Sequence, residues 1–78
     1  MYETIFSLKK LTEEQKHTIR KVAADIELKD STFKWRIEAD TLNIYSETRD
    51  KAYRRGVLLN NKYDGFKGLG FNVYYVRN

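Results

Sequence analysis

From Phe33 to Ile44 the apolar residues keep to every second position, with one break in the middle. Phe33, Trp35, Ile37 and Ala39 point one way while Lys34, Arg36 and Glu38 point the other; after Asp40, Leu42 and Ile44 alternate with Asn43 and Tyr45. A period of two is the spacing of a strand with one buried face. Two such strands separated by so short a break pair as an antiparallel hairpin. The apolar face of that hairpin must be covered by other parts of the chain, and this requirement constrains the fold more than any other feature.

Two segments with helical spacing supply the cover. Thr12 with Gln15 three residues on forms a capping box, and Glu13 and Glu14 occupy the first turn, where the helix dipole favours anions. Ile19, Val22, Ala23 and Ile26 then make an apolar stripe, which predicts a helix over Glu13 to Glu27 ending near the turn-forming LKDS. A second helix is predicted over Arg49 to Asn61, capped by Ser46 or Thr48, with Ala52, Tyr53, Gly56, Val57 and Leu59 on its buried side. Glycine inside a helix costs roughly 1 kcal/mol relative to alanine, so Gly56 implies close approach to the sheet or early fraying. Residues 2–8, YETIFSL, read as a first strand whose even positions, Phe6 and Leu8 among them, face inward. After the turn-rich NNKYDGFKGLG, Phe71 to Arg77 read as the last strand.

The resulting order, βαββαβ, resembles the ferredoxin-like plait: an α+β fold with a four-stranded antiparallel sheet and two helices on one face. The resemblance covers residues 1–78 as one compact domain, because the chain has no proline, no repeat and no low-complexity run to divide it. A chain of 78 residues lies near the lower end of what one unstapled core can hold. It has no cysteine, which excludes disulfides, thiolate metal sites and thiol chemistry. Apolar runs such as GVLL and VYYV are far below membrane length and no signal-peptide pattern opens the chain. The expected location is cytoplasmic, with no membrane contact.

The net charge of +4 is uneven. Residues 1–48 hold eight Lys/Arg against nine Asp/Glu, whereas residues 49–78 hold seven against Asp50 and Asp64 only. The positive field therefore arises from the C-terminal part. Lys51, Arg55, Leu58 and Lys62 recur at helical spacing as a basic stripe facing water. Phe, Tyr, Ile, Lys and Asn, all with AT-rich codons, make up 29 of the 78 residues, a composition in keeping with an AT-rich genome such as many bacteriophages have.

Lys67, Gly68, Gly70, Phe71 and Tyr74 resemble the signature strand of the RNA-recognition motif, Lys/Arg-Gly-Phe/Tyr-Gly/Ala-Phe-Val-x-Phe/Tyr. The stretch departs from it where Leu69 replaces a base-stacking ring and Asn72 the valine. In that family the signature lies on the third strand, whereas the order here puts it on the fourth, so the stretch reads as a closing strand. A nucleic-acid surface is expected elsewhere if anywhere: Lys34, Arg36, Tyr45 and Tyr74 on the open sheet face, with Lys67, interleave cations and rings as single-stranded RNA or DNA requires.

Catalysis is not expected. The only histidine, His17, falls on the solvent side of the first helix, four residues after Glu13, and there is no HExxH, EF-hand or phosphate-cradling pattern. Lys9 to Thr12 also lacks the glycine-containing, arginine-ending loop that plait enzymes such as acylphosphatases carry. No cofactor and no metal are expected. The sequence reads as a small binding protein that occupies the surface of a host protein or nucleoprotein complex, as inhibitors from phage and mobile elements do. The expected contacts are Lys51, Arg54, Arg55, Leu58 and Lys62 on the second helix and Tyr63, Phe66 and Lys67 after it. Nucleic-acid binding through the open sheet face is the alternative, and a homodimer through the last strand a further expectation.

Overall fold

The computed structural model describes residues 1–77. The elements are β1 (Tyr2–Ser7), α1 (Glu13–Lys29), β2 (Lys34–Glu38), β3 (Thr41–Ser46), α2 (Arg49–Lys62), a 3₁₀ turn (Asp64–Phe66) and β4 (Phe71–Tyr75). All strand pairs are antiparallel and the sheet order is β2-β3-β1-β4. This is the ferredoxin-like α+β plait, with both helices on one face.

Register follows the alternation of the sequence. The row Ile37, Leu42, Phe6 and Phe71 and the row Trp35, Ile44, Thr4 and Val73 point to the helices. Phe6, Leu42, Ile44 and, just beyond β1, Leu8 are fully buried, so the even positions of the first strand do face inward. Each buried side chain of this size contributes about 1.5–3 kcal/mol of transfer free energy. The fully buried Thr4 hydroxyl on the inner face is satisfied by donating to the Ala52 carbonyl of α2 at 2.8 Å.

Helix α1 starts at the predicted capping box: Gln15 N–H donates to Thr12 Oγ1 at 3.1 Å and Thr12 N–H to Gln15 Oε1 at 2.9 Å. It buries Ile19 and Ala23, with Val22 and Ile26 half-buried beside them. Lys16 reaches Asp40 in the β2–β3 turn at 3.1 Å, and that hydrogen bond holds its ammonium pKa above the usual lysine range. In α2, Thr48 is the cap, accepting from Lys51 N–H at 3.1 Å. Gly56 lies under Phe71, where an added Cβ would come 2.5 Å from ring atom Cε2. Close approach to the sheet, not fraying, is therefore what the glycine provides.

Three placements differ from the expectation. Ala39 does not continue β2 but turns the hairpin at φ 48°, a left-handed conformation that a residue with a Cβ adopts at a cost. Tyr53 is 59% exposed, because β4 is an edge strand and the flank of α2 overhangs it. Phe66, expected at a contact surface, is fully buried. Its ring packs edge-on against Phe6 at 5.1 Å between centroids, and Asn60 Nδ2 fixes the loop by donating to the Phe66 and Leu69 carbonyls at 2.7 and 3.0 Å. A turn-rich segment thus folds back to finish the core.

Candidate functional site

The fold leaves three surfaces with chemistry: the outer line of α2, the open face of the sheet and the cluster around Arg55. The last corrects the sequence reading. Arg55 does not face water; its side chain is only 11% exposed. Its Nη1 donates to the Tyr45 carbonyl and Ser46 Oγ, both at 3.0 Å, and its Nη2 to Thr32 Oγ1 at 3.0 Å. Asp30 lies 3.8 Å away and the guanidinium stands over the Phe33 ring at 5.6 Å from its centroid. A planar fork with several donors suits such convergence of acceptors, and its work here is to join α2 to β3 and to the α1–β2 turn. Asp30 itself accepts from Thr32 Oγ1 at 2.6 Å and Thr32 N–H at 2.9 Å. Those two bonds, with the Arg55 charge behind them, hold its carboxyl below the usual aspartate range.

With Arg55 turned inward, the outer line of α2 consists of Lys51, Arg54, Leu58 and Lys62, all exposed. Leu58 is 55% exposed in the middle of this line. A groove of about 300 Å³ beside it is lined by Tyr53, Arg54, Val57, Leu58 and Asn61. Arg54 pairs with Asp50 at 3.0 Å, both well exposed, a contact worth little in water. Among the described residues Lys51 and Lys62 form no ion pair, and Lys62 rests over the Tyr63 ring at 5.8 Å. Tyr63 is half-buried against the core, and Lys67 is exposed but paired with Asp64 at 3.0 Å. Of the eight expected contacts, the structure brings Lys51, Arg54, Leu58 and Lys62 onto one face, sets Tyr63 and Lys67 at its end, and withdraws Arg55 and Phe66 into the fold. Tyr53, expected inside, joins the surface.

The open sheet face collects four of the five residues expected for nucleic acid. Lys34, Tyr45, Glu3 and Tyr74 form one cross-sheet row, and Arg36, Asn43, Ile5 and Asn72 the next. Lys67 lies in the loop before β4, off this face. The two tyrosines are separated by β1, and Glu3 stands between them, accepting a hydrogen bond from Asn43 Nδ2. Arg36 is paired with Glu38. The face therefore has two cations, Lys34 and Arg36, against two anions, Glu3 and Glu38, and no net positive field to attract phosphates.

No family model, curated protein or solved structure matches this chain. Among the described residues no group of three or more His, Cys, Asp or Glu side chains is placed to hold a metal ion. His17 is exposed on α1. No helix of the described residues is long and apolar enough to cross a membrane.

Proposed function

We propose that this chain is a non-enzymatic binding protein whose α2 outer face, centred on Leu58, docks on an acidic surface of a host protein or nucleoprotein complex. The exposed leucine within a line of cations carries the reading. A side chain left 55% exposed between Arg54 and Lys62 has apolar area to bury only on a partner, and helix α2 has five Lys/Arg against the single acid Asp50. An apolar anchor with a basic rim fits an acidic patch with a shallow apolar depression, the rim setting orientation and on-rate. The AT-rich residue usage supports an inhibitor of phage or mobile-element type. The cytoplasm is the setting we propose, since a cysteine-free chain gains nothing from an oxidising compartment.

Nucleic-acid binding on the open face is the reading this one displaces. In its favour, Lys34, Tyr45 and Tyr74 share one row; against it, Glu3 sits between the rings and the face has no net charge. Capture from host lysate by the tagged chain, with and without nuclease, separates the two. A discrete protein retained after nuclease and only weakly sensitive to salt supports α2 docking. Recovery of RNA or DNA that declines log-linearly with salt would replace it with the sheet face.

A further inference from the structure

We infer that the hollow beside Arg55 binds a phosphate group, with Arg55 as the fixed charge at its base and Lys34 and Lys51 closing on the anion from two sides. This site is separate from the α2 docking face and shares only Lys51 with it.

The hollow has a volume of about 290 Å³ and lies where β3 ends, with Thr32, Lys34, Tyr45, Ser46, Lys51 and Arg55 among its walls. That volume is at the lower bound of the roughly 300–1,000 Å³ of small-molecule sites. Lys34 enters from β2, paired with Tyr45 on the open side of the sheet. Lys51 and Arg55 enter from α2, on the other side. The end of β3 is thus the place where cations of both layers meet.

The cations differ in kind. Arg55 is fixed: its side chain is 11% exposed, its Nη1 and Nη2 are committed to Tyr45, Ser46 and Thr32, and the Phe33 ring backs the guanidinium. A charge held in this way needs no reordering when an anion arrives. Lys34 and Lys51 are exposed, and among the described residues neither forms an ion pair. Their ammonium groups are free to turn inward. Ser46 is buried in the wall, and its hydroxyl accepts from Arg55 Nη1 at 3.0 Å. That leaves the hydroxyl proton to donate to a guest.

Charge and donor count select the guest. Against Lys34, Lys51 and Arg55 stand Glu47, exposed at the rim, and Asp30, 3.8 Å from the guanidinium. Three positive charges against two leave the site positive. Glu3, the next acid on the open face, is set beyond Tyr45 from Lys34 and accepts from Asn43. A carboxylate has two oxygens to offer. A phosphate ester has three acceptor oxygens and nearly two negative charges, and so meets both ammonium groups and the Ser46 hydroxyl at once, with Arg55 behind them.

Backbone amide shifts of the isotope-labelled full chain test the site, read by NMR during titration with inorganic phosphate at about pH 7.5 against chloride of equal ionic strength. The expected result is a saturable set of shifts centred on Thr32, Ser46 and Lys51, absent with chloride. Lys34→Gln and Lys51→Gln should keep the wild-type melting curve and each weaken binding about tenfold, as loss of one charge-assisted bond does. Replacing Lys9 and Lys10, exposed beyond the other end of β1, by glutamine should leave binding as in wild type. Adenosine monophosphate separates the sources of the group: tighter binding than the free ion points to a phosphate ester, equal or weaker binding to phosphate itself, and both support the site. Shifts that fail to saturate, that chloride reproduces, or that persist undiminished in both Lys34→Gln and Lys51→Gln would overturn it. No partner protein enters the titration, so failure of α2 docking would leave its result unchanged.

Discussion

Arg55 Nη2 donates to Thr32 Oγ1 at 3.0 Å, tying the middle of α2 to the turn that carries the chain from α1 into β2. The same guanidinium bonds to Tyr45 and Ser46 of β3. Charge-assisted bonds of this kind contribute about 1.5–3 kcal/mol each when a partner is removed, and their effects are not additive. Arg55→Ala is expected to lower stability by about 3 kcal/mol, and Arg55→Lys to recover little, since one ammonium cannot span three acceptors. Urea denaturation of the three proteins measures this; an alanine variant as stable as wild type would contradict the role.

Asp30 gives the cluster an acid limb. Its carboxyl is held below the usual aspartate range in the folded chain, first by the Thr32 hydroxyl, then by the Thr32 amide and by Arg55. A lowered folded pKa means stability that is present above the unfolded value and lost as pH falls through the folded one. Unfolding free energy should therefore decline below about pH 4, and Asp30→Asn should flatten the decline. Denaturation midpoints between neutral and acid pH test it, with identical acid limbs for the two proteins as the contrary result.

Gly56→Ala sets two effects against each other. Alanine gains about 1 kcal/mol of helix propensity, but its Cβ would lie 2.5 Å from Phe71 Cε2. The ring is wedged between Phe6 and Tyr53, with centroids 5.3 and 5.8 Å away, and overpacking costs about 1–3 kcal/mol. A net loss of about 1 kcal/mol is expected, and it should vanish in the background of Phe71→Val. A double-mutant cycle on denaturation midpoints reads the coupling directly, and additive effects would refute the contact.

Ala39 is expected to behave in the opposite sense. With φ at 48° its Cβ carries a left-handed strain of about 1–2 kcal/mol, which glycine would not. Part of the gain is offset by the greater freedom of glycine in the unfolded chain. Ala39→Gly should raise stability by about 0.5 kcal/mol, seen as a small increase in the melting midpoint without change of fold.

Most of the fold was legible because its signals are local. The alternation from Phe33 to Ile44 names the inner face of the hairpin, and Thr12 with Gln15 marks the start of α1 to the residue. What the chain hides is tertiary. Arg55 shares its helical spacing with Lys51 and Lys62, and nothing along the chain says that Thr32, Tyr45 and Ser46 converge on it. Phe66 lies among turn formers, so periodicity is silent about it; the available hint was a large aromatic six residues after Asn60, whose amide closes the loop. Tyr53 departs from the expected buried side because the stripe that includes Ala52 and Gly56 is continuous along the chain, whereas the sheet ends at β4 beneath it. At the site, the α2 cations and Leu58 were readable, while the balance of charge on the open face depended on the register that brings Glu3 between Tyr45 and Tyr74.

The central claim is that Leu58 on α2 is the anchor, and its most direct measurement compares Leu58→Glu with Tyr74→Ala in binding to the protein captured from nuclease-treated lysate, titrated by calorimetry. Both positions are exposed, so both variants should keep the wild-type melting curve. An anchor buried in a partner pocket and replaced by a charge should weaken binding by 2 kcal/mol or more, which is roughly thirtyfold or greater, while Tyr74→Ala should bind as wild type does. Unchanged affinity for Leu58→Glu, with loss confined to Tyr74→Ala, would contradict the account and move the site to the open sheet face.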